Sequence, residues 1–464
     1  MNRVSTIIVI IVSSLFLANC NKTLQVTYPP GNPPASKVLG NDSSTLDVVT
    51  GVYASMSGPS PIDGSNSLYL ELGLAADELD EYYPDPNLLA IYADAFSPAQ
   101  DYFWDYLYQQ IYACNAVISS VAATQVTTAG NLRRQAIGEA YFLRAFLLFY
   151  ATNLYGNIPI PTTTNYQVND ALTQSSQTAV YAQIIADLTI AGGLLPTSYL
   201  DGSGSSTSAR VRPNKWAATA LLARAHLYAG DWADAQAAAD SVIAAAQFSL
   251  PTDLNQVFLV SSPEAIWQIA PLVPETNTYA ASVFILTGAP GYFQPTAMSP
   301  FLVNAFEPGD LRQSVWVGAD TTGGVIYYYP YKYKVIGSTS VQEYLMILRL
   351  AEQYLIRAET RARQGDLIGA AADLNRIRSR AGLPATGAAT TSQLLAAIAH
   401  ERQVELFTEF GDRWFDLKRT GALDTVMPLV EPHKGGVWNN YDSLLPIPAS
   451  DIQLNPHLTQ NTGY

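Results

Sequence analysis

Positive charge is scarce in this chain. Lysine and arginine number 25 against 39 aspartates and glutamates, for a formal charge of −14, and no basic stripe is visible. Nucleic acid and anionic lipid headgroups are therefore poor partners, since both are held by clustered cations. Histidine is scarcer still. His226, His400, His433 and His457 are scattered, without HExxH or any other ligand spacing, so no zinc or other metal site is expected. GxSxG, Walker and dinucleotide-binding glycine patterns are all missing, and no carboxylate pair is nominated for glycoside hydrolysis. No catalytic residue and no cofactor are expected. Beyond the N-terminal segment, no apolar run approaches the roughly 20 residues of a transmembrane helix.

Cysteine is nearly absent too, and the position of one of the two is informative. "LFLANCNK", Leu15 to Lys22, ends an apolar run at Cys20. Upstream, Arg3 forms a small positive region, and Ile7 to Ala18 has signal-peptide length, too short to cross a bilayer. Leu17-Ala18-Asn19-Cys20 resembles a bacterial lipobox, with Asn19 departing from the usual small residue. In such a motif the thiol is diacylated, the chain is cut before it, and the new amine is acylated. Each buried methylene contributes about 0.8 kcal/mol, so several chains on one cysteine make a permanent anchor. The prolines of "TYPPGNPPAS" then make a stiff spacer of the segment after it. With Cys20 acylated, Cys114 has no disulfide partner, and its spacing from Tyr108 and Ile111 suits a small buried hydrophobe on a helix face.

What the chain does have is helical periodicity and tyrosine. "KWAATALLARAHLYAGDWADAQAAADSVIAAA" from Lys215 and "RLAEQYLIRAETRARQGDLIGAAADLNRIRSRAG" from Arg349 each read as helix, Gly-Asp break, helix. The break puts glycine at one helix end and aspartate at the next N-cap, Gly230-Asp231 and Gly365-Asp366. Small residues three apart, such as Ala220 and Ala223, let paired helices approach closely. These units look like tetratricopeptide repeats. The Trp104–Leu107–Ile111–Cys114 face and "RRQAIGEAYFLRAFLLFYATNLYG" supply further helices. Leu250 to Ser340, with "VIYYYPYKYKVIG", reads as an irregular cap with a few strands. The fold expected is mainly α, a tetratricopeptide-like hairpin scaffold carrying a loop-rich cap.

Several segments together resemble one family. The lipobox, "AYFLRAFLLFYATNLYGNIPI", "KWAATALLARAHLYAGDW", "LRLAEQYLIRAETRAR", "ERQVELFTEFGDRWFDLKRTG", "LLPIPASDIQLNP" and the terminal "LTQNTGY" occur in the order found in SusD/RagB outer-membrane lipoproteins. "TEFGDRWFDL" in place of the usual "FEG" before the Arg-Trp-Phe-Asp-Leu box, and Thr462 in place of a proline, are departures. The resemblance implies signal peptide 1–19, lipidated cysteine and tether 20–36, an N-terminal helical region 37–250, and a C-terminal region 251–464 with cap and repeats. It further implies a non-enzymatic, lipid-anchored protein on the outside of the outer membrane. Such a protein captures an oligosaccharide, or in some relatives peptides, and passes it to a SusC-like TonB-dependent transporter. A repeat scaffold without small ligands and a surface hydrolase are the other readings.

Sugars present C–H faces to flat rings and hydroxyls to amides and carboxylates. The candidate ligand residues are Tyr82, Tyr83, Asn87, Tyr92 and Phe96 in the first loop, with Tyr292, Phe293, Gln294, Trp316, Tyr327, Tyr328 and Tyr329 in the cap. Trp104, Trp216 and Trp414 lie within helical stripes and are assigned to the core. The acidic run Asp77, Glu78, Asp80, Glu81 lacks calcium-loop spacing and is read as a solvated loop. Glu401, Arg402, Glu405, Arg413 and Asp416 are read as an ion-pair lattice, with Arg413 and Asp416 placed to pair.

Overall fold

The computed structural model describes Leu39 and residues 41–58, 60–120 and 130–464. The expected signal segment, Cys20 and the tether lie outside the described residues. Several helix starts follow a polar residue whose side chain caps them. Asn41 Oδ1 accepts from the Ser44 amide at 2.8 Å ahead of α1 (Asp42–Met56), satisfying one of the amides a helix start leaves unpaired. Next come α2 (Leu68–Ala75), the short α3 (Pro86–Tyr92), α4 (Trp104–Ser119) and the long α5 (Asn131–Tyr155). The scaffold continues through α6 (Gln177–Leu194), α7 (Lys215–Ala229) and α8 (Trp232–Ile243). After an interval of loops and strands containing α9 (Tyr279–Phe284), it resumes with α10 (Leu350–Arg363), α11 (Leu367–Arg380), α12 (Thr391–Leu406) and α13 (Asp412–Arg419).

These helices stack in a chain of neighbours. Helix α5 lies between α4 and α6, α6 against α7, and α7 against α8; α8 meets α10, which holds α11 and α12. The two repeats turn where expected. Gly230 and Gly365 sit at φ 84° and 87°, a conformation glycine adopts without a Cβ clash. Asp366 caps α11 through the Gly369 amide at 2.9 Å, whereas Asp231 makes no such cap and faces His226 Nδ1 at 3.3 Å. Ala223, Ala235 and Ala239 meet Ile356 in the seam between the hairpins, all fully buried. Cys114 is buried as expected, and burial pushes its thiol up to about 12.

Among the described residues, six short strands, β1 (Leu79–Glu81), β2 (Ala265–Ile269), β3 (Thr296–Met298), β4 (Val317–Thr322), β5 (Val325–Pro330) and β6 (Leu345–Arg349), form three antiparallel ribbons, β1–β3, β2–β6 and β4–β5. Gly323 and Gly324, at φ 61° and 83°, make the two-residue turn between β4 and β5. Part of the segment expected to form a cap is core instead. Every residue of β2 is buried, and Trp267 sits edge-on to Phe142 and Phe146 of α5, at 4.8 and 5.2 Å. The short, near-continuous apolar run of "EAIWQIA" suits a strand buried on both faces but does not say what covers it.

Candidate functional site

The site is assembled from segments some 200 residues apart in the chain. Leu79, Asp80 and Glu81 pair with Met298, Ala297 and Thr296, and the Tyr82 amide extends the ribbon to the Pro295 carbonyl at 2.9 Å. This tie carries Tyr83 and Asn87 to the loop Gly291–Gln294, which is closed by the Gly291 amide donating to the Gln294 carbonyl at 2.8 Å. Asp85 starts α3 by accepting from the Asn87 and Leu88 amides at 2.9 and 3.1 Å. Asn87 is thereby fixed at the first turn of that helix.

A cleft of about 480 Å³ results, bringing together Tyr83, Asn87, Tyr292, Phe293 and Gln294. Tyr83 meets Tyr292 at 5.5 Å and 79°, and Tyr292 meets Phe293 at 5.1 Å and 81°. Edge-to-face packing leaves successive ring faces at right angles. Tyr292 and Phe293 are nonetheless 71% and 79% exposed, an apolar area that folding alone does not require. Polar edges come from Asn87, whose Oδ1 accepts from Gln100 Nε2 at 2.6 Å, and from Gln294, whose Nε2 donates to the Ser282 carbonyl at 3.0 Å. No lysine, arginine or histidine lines the cleft among the described residues. Beside Tyr83, burial above all pushes the Glu81 carboxyl up to about 7, with Asp85 adding to it, while the Tyr83 amide counters by donating at 2.8 Å.

The other expected ligand residues are placed differently. Tyr82, 49% exposed, packs edge-on to Tyr327 at 5.4 Å. This pair lies outside the cleft lining, as does Tyr328, the next residue of β5, whose side chain points to the opposite face of the β4–β5 hairpin. Tyr329 turns to Tyr331 at 5.8 Å. Three expectations are corrected. Trp316 is fully buried, its Nε1 donating to the Leu254 carbonyl at 3.1 Å beside Phe258, so it offers no face to a ligand. Phe96 is buried against Tyr102 at 5.7 Å. Tyr92 directs its hydroxyl to Asp80 Oδ1 at 2.9 Å, away from the cleft. Trp104 and Trp414 are buried and Trp216 packs against the core, as expected.

The acidic run is also corrected, because Asp77, Glu78 and Asp80 are buried. Arg413 donates to both Asp77 oxygens at 2.7 and 2.6 Å, and Glu78 accepts the Thr408 amide at 3.2 Å. Burial first, and the neighbouring Asp77 second, push the Glu78 carboxyl up to about 8. Arg413 therefore does not pair with Asp416, which instead accepts from Arg402 and Arg419. The lattice itself is present: Arg312 bridges Glu401 and Glu405 at 2.7 and 2.9 Å, and Arg349 reaches Glu405 at 2.6 Å. Sequence reasoning missed Asn66 and Tyr279, which also line the cleft. Asp63 fixes that wall by accepting from Tyr69, Thr278 and the Tyr279 amide at 3.2 to 3.3 Å. No group of three or more His, Cys, Asp or Glu is placed to hold a metal among the described residues.

Comparison with known proteins agrees with this architecture. The sequence profile described as "SusD family" matches residues 311–464, and that described as "Starch-binding associating with outer membrane" matches residues 84–227. SusD-like protein P38 of Formosa agariphila is 26% identical over 78% of this chain and 79% of its own. Among solved structures, a SusD superfamily protein of Bacteroides vulgatus superposes with a TM-score of 0.78 at 20% identity, covering 91% of this chain and 99% of the other. Surface glycan-binding protein A of Bacteroides thetaiotaomicron, solved with laminarihexaose, gives 0.74 at 19% identity, covering 90% and 99%. The two matched segments together span well over half the chain, and in sequence and fold alike it belongs to the SusD/RagB family.

Proposed function

We propose that this protein captures a neutral oligosaccharide in the Tyr83–Tyr292–Phe293 cleft and releases it unchanged. The observation that carries the reading is the pair of largely exposed rings, Tyr292 and Phe293, set at right angles on a cleft with amide edges and no cation among the described residues. Flat rings accept the C–H faces of pyranoses, and carboxamides take their hydroxyls. An anionic ligand would lack a counter-charge there. Support comes from the profile described as starch-binding and from the relative solved with laminarihexaose.

The lipobox reading and the family membership extend this to a place. Anchored by Cys20 in the outer membrane and facing outward, the protein would hold its ligand at the mouth of a SusC-like TonB-dependent transporter. Tethering raises the local concentration of a weakly bound ligand there. Incubating the purified protein with a glycan panel, while assaying binding and products, tests the reading. Binding without products supports it. Turnover would make the protein a hydrolase, and silence on every glycan with binding of peptides would favour a peptide-capturing role.

A further inference from the structure

A second cleft, of about 290 Å³, lies along α4 and shares no lining residue with the first. Its wall carries aromatic residues at helical spacing on α4: Trp104 is buried at its base, Tyr108 is half-buried and Tyr112 is exposed. Trp104 and Tyr108 lie 4.6 Å apart with their rings tilted by 36°, and Tyr112, one turn further on, is 54% exposed. The opposite wall is fixed by hydrogen bonds that α4 donates: Tyr108 Oη to the Pro159 carbonyl at 2.9 Å and Asn115 Nδ2 to the Pro161 carbonyl at 2.8 Å. The groove is thus held open by its own lining.

Acceptors stand out among its polar groups. Asn169 lines the cleft; its Nδ2 donates to the Thr163 carbonyl at 2.9 Å, while its buried Oδ1 accepts no hydrogen bond among the described residues. A buried carbonyl without a donor is costly until one arrives. Asp170 and Asp451 add carboxylates, and no lysine, arginine or histidine lines the groove among the described residues. Anionic ligands are disfavoured by this charge. The Tyr108 and Tyr112 rings, edged by the Asp170 and Asp451 carboxylates, suit a molecule with apolar faces and many hydroxyl donors.

We propose that this groove is a second binding site for a neutral oligosaccharide, so that one protein grips a polysaccharide at two places. The inference rests on the glycan reading of the first cleft. Two weak sites on one polymer multiply through effective concentration, whereas a short oligomer occupies each independently.

The test compares wild type, Tyr112→Ala, Tyr112→Trp and Tyr292→Ala/Phe293→Ala, using laminarin and starch in affinity gels and their hexasaccharides in calorimetry. Tyr112 is exposed, so its replacement leaves folding intact. The expected result is that Tyr112→Ala weakens polymer retention by about fivefold or more. Its hexasaccharide affinity at the first cleft stays within about twofold, and Tyr112→Trp keeps polymer retention. Polymer retention unchanged in Tyr112→Ala overturns the second site and leaves the first cleft standing. Binding lost in Tyr112→Ala but untouched in Tyr292→Ala/Phe293→Ala overturns the first-cleft reading and keeps this one. Absence of all glycan binding overturns both.

Discussion

Arg413 of α13 holds the Asp77 carboxylate with two parallel hydrogen bonds, 2.7 and 2.6 Å long, across 336 residues of sequence. Asp77 stands just before β1, the strand that brings the first ligand loop to the second. The C-terminal box therefore braces the binding face, although none of its residues lines the cleft.

Arg413→Ala leaves Asp77 buried beside Glu78 without its partner, a change that typically costs about 3–5 kcal/mol. Thermal unfolding should report that loss. Because the ribbon β1–β3 loses its anchor, glycan affinity measured below the melting transition should fall as well. An unaltered melting temperature contradicts the bracing role.

Trp316→Ala separates platform from core. Truncating a fully buried indole costs about 3–5 kcal/mol through lost burial and the cavity left behind. Chemical denaturation should show that loss, while the fraction that remains folded binds glycan with wild-type affinity. Weakened binding at unchanged stability would return Trp316 to the ligand site.

Glu71 gives a pH signature. It is buried on α2 and accepts from Asn66 Nδ2 at 3.4 Å, and burial pushes its carboxyl up to about 8. The folded state thus holds a proton that the unfolded chain releases near 4.5, the ordinary value of a glutamate. Its contribution is fully present below pH 4.5 and is lost as pH rises to about 8. Glu71→Gln removes this slope. The variant should gain melting temperature relative to wild type between pH 5 and pH 9, values chosen to bracket the shift. A difference that does not change with pH contradicts a neutral Glu71.

Cys20→Ser tests the anchor. A chain with no acylated cysteine should leave the membrane fraction, whereas retention there rules out lipid as the main attachment.

The helical scaffold was legible because its signals are local. The Gly-Asp breaks and alanine faces of the repeats specify hairpins within about 30 residues, and the turns at Gly230 and Gly365 bear this out. Tyr83, Asn87, Tyr292, Phe293 and Gln294 could be nominated from residue type and from the family resemblance, and they share one cleft. What stayed hidden depends on distant pairing. The run from Asp77 to Glu81 reads as a solvated loop until Arg413 and Thr408 are folded onto it. Trp316 and Tyr292 look alike in sequence, but the Leu254 carbonyl and Phe258 bury the first. Asn66 carries no signal beyond loop composition, since its place in the cleft follows from how α2 meets α9.

The most direct test is calorimetric titration of the purified protein and of Tyr292→Ala/Phe293→Ala with laminarihexaose and maltohexaose, with product analysis of each mixture. Saturable binding of at least one sugar by the wild type is predicted. Removing the two exposed rings should weaken it roughly 30-fold or more, about 2 kcal/mol for a central aromatic anchor, with the melting temperature unchanged and the sugar recovered intact. Equal affinity in both proteins, or a shortened sugar, contradicts capture on this aromatic corner.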